Sequence, residues 1–338
     1  MEMKEAYLYE KLEDGKVRCR LCNHQCLIKP GATGICGVRE NQAGTLISLV
    51  YGKVIARHCD PIEKKPLFHF LPGSRSYSVA TVGCNLKCLF CQNADISQMP
   101  SDHHRITGQD MTPEMIVQDA RDTRSESISY TYTEPTIYFE LALDTARLAV
   151  AQGIRNVFVS NGYMTEGCLR EIFPDLHAAN VDLKAFTDRF YKDQCGAKLE
   201  PVLKNLATLK EMNVWLEVTT LLIPGLNDAT DELKALAGFL ADLDSSIPWH
   251  ISRFHPTYRL THIGPTPARS LRKARDIGYE AGLKYVYTGN VPGDPGEKTF
   301  CHACNELLID RFGFNVMKND IRNGSCPKCG AEVPGVWE

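Results

Sequence analysis

No stretch of this chain stays apolar long enough to span a bilayer, and its start, Met-Glu-Met-Lys-Glu-Ala, lacks the apolar core of an export signal. Neither sign of charge is in surplus: 38 basic against 41 acidic side chains leave a net charge of −3. That balance argues against a nucleic-acid or anionic-membrane surface as the main business of the chain. With 43% hydrophobic residues over 338 positions, the chain can fill one large core and still carry small appendages. Cysteine, by contrast, is plentiful. Fourteen cysteines without an export signal point to metal binding in a reducing, cytoplasmic setting, not to disulfides.

Eleven of the cysteines fall into three groups. Cys84, Cys88 and Cys91 form a C-x3-C-x2-C loop directly after an alternating run, residues 77–82, that reads as a strand. Three thiolates so close together can wrap around an iron–sulfur cube and leave one of its irons open to a substrate or cofactor. Zinc favours paired C-x2-C knuckles, and no fourth Cys or His stands near enough in sequence to complete this loop. Cys19, Cys22, Cys26 and Cys36 make a full tetrahedral set, expected to hold a structural metal or, alternatively, an auxiliary cluster. The pairs Cys301-x2-Cys304 and Cys326-x2-Cys329 read as a zinc ribbon, with rubredoxin-like iron as the chemical alternative. Phe300, Phe312 and Phe314 are expected to supply its small core. From Gly296 onward, five basic residues face six acidic ones, so a structural or docking role fits this module better than nucleic-acid binding. Cys168 and Cys195 are expected to be packing residues, and Cys59 has no assignment.

Three regions follow: a Cys-rich N-terminal segment and cover (1–76), a core (77–291), and a linker with the C-terminal module (292–338). In the first, short strands are expected at 45–51 and 53–58. The Glu63-Lys64-Lys65-Pro66 loop beyond them reads as a solvated face that could cover the cysteine loop. The core alternates strands (77–82, 128–131, 156–160, 180–183, 215–222, 250–254, 285–287) with helices (112–121, 136–152, 202–212, 228–243, 267–281). Such alternation predicts an α/β fold, a parallel sheet curled into a partial or full (β/α) barrel, with sites at the C-terminal strand ends. Pro292-Gly293-Asp294-Pro295-Gly296 reads as a linker.

The cysteine loop, with Phe90 just before its last cysteine, resembles the radical S-adenosylmethionine (radical SAM) signature. The wider run Gly83-Cys-Asn-Leu-Lys-Cys-Leu-Phe-Cys-Gln-Asn is similar to the pyruvate formate-lyase activating enzyme branch. Over most of its length, including Asp60-Pro-Ile-Glu-Lys-Lys-Pro-Leu-Phe-His-Phe, Tyr132-Thr-Glu-Pro and Phe254-His-Pro, the chain resembles the AmmeMemoRadiSam system radical SAM enzymes. The resemblance implies a [4Fe-4S] cluster on Cys84, Cys88 and Cys91 that binds S-adenosylmethionine at its open iron and cleaves it reductively. The resulting 5′-deoxyadenosyl radical would take hydrogen from a substrate: a glycine of a partner protein if the chain acts as an activating enzyme, otherwise a small molecule or peptide. An electron donor such as flavodoxin or ferredoxin is implied too, and AMMECR-type and Memo-type pathway partners are suggested.

Residue by residue, Glu134-Pro135 aligns with the family's Gly-Gly-Glu-Pro loop, whose acid receives the methionyl ammonium. Tyr132-Thr133 replaces the two glycines, and Tyr132 is expected to face a substrate. Ser160-Asn161-Gly162 matches the family's Thr-Asn-Gly turn. Asp182-Leu183-Lys184 matches its Asp-Leu-Lys, with both charged side chains on the cofactor side. Phe254-His255 matches a Phe-His that sets an imidazole beside the protein substrate, with Tyr258 and Arg259 behind it. The reading from another class is a binding protein stapled by zinc at every cysteine group, without catalysis.

Overall fold

The computed structural model describes residues 3–291 and 293–338. An eight-stranded sheet lies at its centre. Its strands, in chain order, are β1 Ala56–Pro61, β2 Arg75–Ala80, β3 Ser127–Tyr130, β4 Arg155–Ser160, β5 Ala178–Asp182, β6 Trp215–Leu222, β7 Trp249–Arg253 and β8 Val286–Gly289. Sequence neighbours are sheet neighbours throughout. Strands β2 to β8 run parallel, and β1 lies antiparallel on the β2 edge. One main helix of seven residues or more connects each parallel pair: α1 Pro113–Asp122, α2 Phe139–Ala151, α3 Glu166–Ile172, α4 Glu200–Glu211, α5 Thr230–Asp244 and α6 Ala268–Glu280. The start of α1 follows from its sequence, since the Thr112 hydroxyl accepts from the Met115 amide and Pro113 occupies the first turn.

Each expected core strand is present, with ends that match or shift by at most two residues. The expectation missed α3 and the membership of β1. Because β1 pairs with β2 along its whole length, the sheet begins before residue 77. Side chains alternate across the sheet as a two-residue period demands. Val79, Ile128, Phe158, Val181, Val218 and Ile251 face outward into the apolar layer beneath the helices. The other face is polar, with Ser76 opposite Ser127, Asn180 opposite Glu217 and Thr219 opposite His250.

Among the described residues β1 and β8 do not pair, so the sheet is open and the fully closed barrel is not formed. It must nevertheless curl. Laid flat, seven gaps of about 4.8 Å would put its edges about 34 Å apart. Phe68, seven residues beyond the end of β1, packs its ring 4.8 Å from that of Tyr287 on β8. Seven residues reach at most about 25 Å. The segment 62–71 therefore plugs the concave side of a curled sheet.

That finding corrects the expectation of a solvated Glu63-Lys64-Lys65-Pro66 loop, because Glu63 and Lys65 are buried. The physical reason is pairing. Lys65 Nζ lies 2.6 Å from Asp60. Glu217, wholly buried on β6, accepts from the amides of Phe68 and His69, from the Trp215 indole, and meets His250 Nε2 at 2.6 Å. A buried charge without such partners would be costly.

Residues 4–54 form small antiparallel sheets docked on the core through Arg39, which reaches Glu140 of α2 at 2.9 Å with both side chains buried. The C-terminal module is a three-stranded antiparallel sheet of β9 Thr299–Phe300, β10 Leu307–Phe312 and β11 Asn315–Asn319. Its core is Leu308, Ile309 and Val333, packed with Tyr285 and Tyr287 of the main body and with Phe68. Phe300, Phe312 and Phe314, expected inside, are 37%, 64% and 48% exposed. The module buries the face turned toward the body and leaves its hairpin tip outside. Of the expected linker, Pro292 lies outside the described residues. Of the rest, Gly293 and Pro295 are exposed, Asp294 caps the turn Pro295–Glu297, and Gly296, with the adjoining Glu297, is buried against β8. No helix among the described residues is long and apolar enough to cross a membrane.

Removing one partner of a buried ion pair leaves the other charge uncompensated. Glu140→Ala is expected to cost about 3–5 kcal/mol of unfolding free energy, measured by anaerobic urea titration, and a loss below about 1 kcal/mol would contradict the docking role of Arg39. His69, bonded to Pro334 O and the Tyr287 hydroxyl, has its pKa pushed down to about 4 by burial. The unfolded chain binds that proton near pH 6.5, so stability should fall as pH drops from 6.5 toward 4, by up to about 1.4 kcal/mol per unit. His69→Gln should flatten that slope; an unchanged slope would show that His69 does not carry it.

Candidate functional site

The cysteine loop leaves the C-terminal end of β2 through Gly83. Its φ of +104° and a position where any Cβ would come within 2.7 Å of Val38 admit only glycine. Beyond it Cys88 is buried and Cys84 and Cys91 are half-buried. Several parts of the chain clamp the loop backbone. The amides of Lys87 and Leu89 donate to Cys195 O and Gln194 O, and the Arg259 amide donates to Leu89 O. Gln98 Nε2 donates to Leu86 O at 3.1 Å, and His24 Nε2 lies 2.8 Å from Asn85 O. The sulfurs have polar company: Ser97 Oγ is 3.2 Å from Cys91 Sγ, and the Leu86 amide donates to Cys84 Sγ at 3.4 Å. Burial, with the charges of Glu134 and Cys88 close by, pushes the Cys84 thiol well up. Such a thiol ionises when a cation takes its sulfur. Asn85 Nδ2 beside it is buried without a partner, a donor aimed at a group the protein itself does not supply. The donor set fits an iron–sulfur cluster with one open coordination position.

Glu134, after β3, is buried at 2% exposure. One carboxylate oxygen accepts from Thr136 N, Thr136 Oγ1 and Ser160 Oγ; the other accepts from Asn161 N at 2.8 Å. Burial raises its pKa against these donors. Asn161 in turn gives Nδ2 to Asn85 Oδ1 at 2.8 Å, with Cys84 Sγ 3.8 Å away. Glu134, Ser160 and Asn161 thus meet, and they meet the cysteine loop. The carboxylate expected to face a cofactor ammonium also joins two strand-end turns, and its second oxygen, with a single donor, keeps a lone pair.

Asp182 and Lys184 pair at 2.9 Å. Burial works against the charge on Lys184, but Asp182 and the sulfurs of Cys88 and Cys195 outweigh it and hold its pKa well above the usual value. Cys195, expected to be a packing residue, ends a single π-helical turn, Tyr191–Cys195, that lies along the cysteine loop. Its nearby thiol and Lys184 draw the Cys88 pKa down. Cys168 is buried in the apolar core, and Cys59 is exposed beside Ser125.

Tyr132 has a left-handed backbone, φ +62°, which glycine adopts without strain and tyrosine does not. Its carbonyl accepts from Asn93 Nδ2, its hydroxyl donates to Asp60, and Lys65 Nζ stands 4.6 Å from its ring centre. The side chain therefore turns inward to the plug. Burial opposes ionisation of Asp60, yet Lys65 and Tyr132 keep its pKa well below the carboxylate range. His255 is exposed beyond β7. Tyr258 and Arg259 both bind Asp102, at 2.7 and 2.9 Å. Sequence reasoning missed Asn85, Asn93, Ser97, Gln98 and His24; the Gln92-Asn93 pair next to the last cysteine was the one available signal.

The C-terminal cysteines converge most tightly. Cys301, Cys304, Cys326 and Cys329 lie within 4.8 Å of one another, with Cys301 to Cys329 at 3.6 Å and Cys304 to Cys326 at 3.7 Å. Tetrahedral bonds of about 2.3 Å require an edge of about 3.8 Å, so a single ion fits. Among the described residues no other group of three ligands closes so tightly. Cys22 is near enough to Cys36, Cys19 and Cys26 for their charges to raise its pKa beyond the larger effect of burial.

A family model described as the radical SAM superfamily matches residues 78–239. An uncharacterized protein of Methanocaldococcus jannaschii is 47% identical over 98% of this chain and 99% of its own length. The pyruvate formate-lyase 1-activating enzyme of Escherichia coli is 20% identical over 61% of this chain and 89% of its own. The crystal structure of SuiB from Streptococcus suis bound to S-adenosylmethionine superposes with a TM-score of 0.52 at 15% identity. That likeness of fold covers 71% of this chain and 56% of that one.

Cys326→Ser should lose the metal of the C-terminal set alone, read as one fewer bound ion per chain by mass spectrometry with the other metal content unchanged. Retention of the full complement would contradict the tetrahedral site.

Proposed function

From the premise that the chain is a member of the radical SAM superfamily, related to the pyruvate formate-lyase activating enzymes, we propose that it cleaves S-adenosylmethionine reductively and abstracts hydrogen from a substrate. The observation that carries the reading is the three-cysteine loop at the C-terminal rim of the sheet, clamped on every side and tied through Asn161 to Glu134. When bound, the cluster and S-adenosylmethionine together supply a 5′-deoxyadenosyl radical and methionine from one donated electron. Cys84, Cys88 and Cys91 would hold the cluster.

The protein's own residues orient and exclude. Lys184, held cationic by Asp182, is placed to meet the cofactor's carboxylate or ribose hydroxyls. The cofactor's ammonium would fall to Glu134, whose second oxygen accepts from a single donor, and to backbone carbonyls of the loop through Tyr132 and Glu134. Ser160 and Asn161 keep that loop in register with the cysteines. Water is kept from the rim by the apolar cover of Phe90 and Phe190.

For the substrate, kinship with the activating enzymes favours a glycine in a partner protein, with His255 facing it. A small-molecule or peptide substrate is the second reading, favoured by the C-terminal module that covers the open flank of the sheet. The motifs at 60–70, 132–135 and 254–256 support a kinship with the AmmeMemoRadiSam system radical SAM enzymes. Flavodoxin or ferredoxin suits the electron donor, and zinc suits the C-terminal set in a ribbon-like module.

The test is anaerobic assay of 5′-deoxyadenosine from S-adenosylmethionine and dithionite. Wild type should form it and Cys88→Ala should form none. No product from wild type carrying zinc at all three cysteine groups would overturn the reading in favour of a zinc-stapled binding protein.

A further inference from the structure

A cavity of about 290 Å³ lies where β7 and β8 meet the plug and the C-terminal module. His250 and Ser252 face it from the concave side of the sheet, Glu63 and Phe68 from the plug, and Phe312 and Phe314 from the tip of the β10–β11 hairpin. Its lining is mostly apolar. The two hairpin phenylalanines are among the most exposed large apolar side chains of the module, at 64% and 48%, and belong to no core of their own. Rings left open at the rim of a pocket are suited to covering something in it.

A second, independent observation names the polar partner. Glu63 is 1% exposed, and its Oε2 has no hydrogen-bond partner. The other oxygen accepts from the Gly73 amide and lies 3.7 Å from Arg311 Nε. A buried acceptor left open is a vacancy for a donor. Charge decides which donor. Glu63 and Glu297 are buried in the cavity wall, and Glu217 is buried behind His250, against one buried guanidinium, Arg311. His69 is neutral near pH 7, and even a charged His250, bonded to Glu217, leaves negative charge in excess.

We propose that this cavity binds a small organic cation, an ammonium on an apolar body, with the ammonium on Glu63 Oε2 and the body among Phe68, Phe312 and Phe314. At about 30 Å³ per water-sized unit it has room for roughly ten heavy atoms. Aromatic faces add to the attraction for a cation. The pocket shares the face of the sheet that carries Asp182: register runs Asp182, Thr219, His250, Tyr287 across β5 to β8. Two strand spacings, about 10 Å, separate Asp182 from His250. The cation is thereby placed as the substrate, or part of it, for hydrogen abstraction, an assignment that rests on the radical reading above and takes its second, small-molecule substrate.

Calorimetry on the anaerobic full-length holoprotein tests it, with 2-phenylethylammonium as the probe and 2-phenylethanol and 3-phenylpropionate as neutral and anionic controls. Saturable binding of the ammonium is expected, about tenfold or more tighter than either control. Glu63→Gln should weaken it about tenfold and Phe314→Ala about threefold. Phe314 is exposed, so its variant keeps the test decisive should Glu63→Gln fail to fold. Equal binding of all three probes, no saturable binding of the ammonium, or an unchanged affinity in Phe314→Ala would overturn the pocket. Cleavage of S-adenosylmethionine by the same wild-type preparation is read separately. Cleavage without ammonium binding sinks the pocket alone. Binding without cleavage leaves the pocket and sinks its assignment to radical chemistry.

Discussion

Three thiolates on one short loop leave a four-iron cube a ligand short, and the loop must keep that vacancy open without collapsing onto its own sulfurs. The fold answers with contacts from remote parts of the chain. Val38 and His24 press from the N-terminal segment, and Asn161 reaches across from the end of β4. The 194–195 turn and the Arg259 amide hold the loop's outer strand. No single contact would fix so short a segment. Together they make the loop rigid before any cluster arrives, as a site on which chemistry depends requires.

The same demand explains the polarity of the sheet's concave side. A parallel sheet covered by helices on one face would normally bury apolar side chains on both. Here that side carries serines, Asn180, Glu217 and His250, because a plug with its own buried charges fills it. Glu217 is the hinge of this arrangement: four donors converge on one carboxylate, two of them plug amides. The plug in turn joins β1 to β8, fixes the curl, and gives the C-terminal module its seat through Phe68 and Tyr287. Stability and site geometry are thus linked through buried charge, which is stabilising only while every partner is present.

Much of this was legible in the sequence. The alternation of strand and helix was clear because apolar periods of two and 3.6 are local signals, and β6 was read with its observed ends. The C-terminal cysteine set was legible from spacing alone. Elsewhere tertiary contacts override local pattern. Glu63 and Lys65 look like surface residues until Asp60 and Arg311 are brought beside them. Phe312 and Phe314 look like a core until the module is seen to bury its opposite face. Cys195 carried no signal, because its place beside Cys88 depends on a turn formed far away in sequence. Tyr132 was noticed as a departure from Gly-Gly, but its left-handed backbone and inward side chain come from Asn93 and Asp60.

The central claim is that the loop of Cys84, Cys88 and Cys91 presents an iron open to S-adenosylmethionine. The most direct measurement is electron–nuclear double resonance of the reduced cluster with S-adenosylmethionine labelled with ¹⁵N at the amine. A resolved ¹⁵N coupling that vanishes with unlabelled cofactor is the predicted result, since it requires the amine on iron. A reduced-cluster spectrum untouched by S-adenosylmethionine, with no nitrogen coupling, would contradict the account.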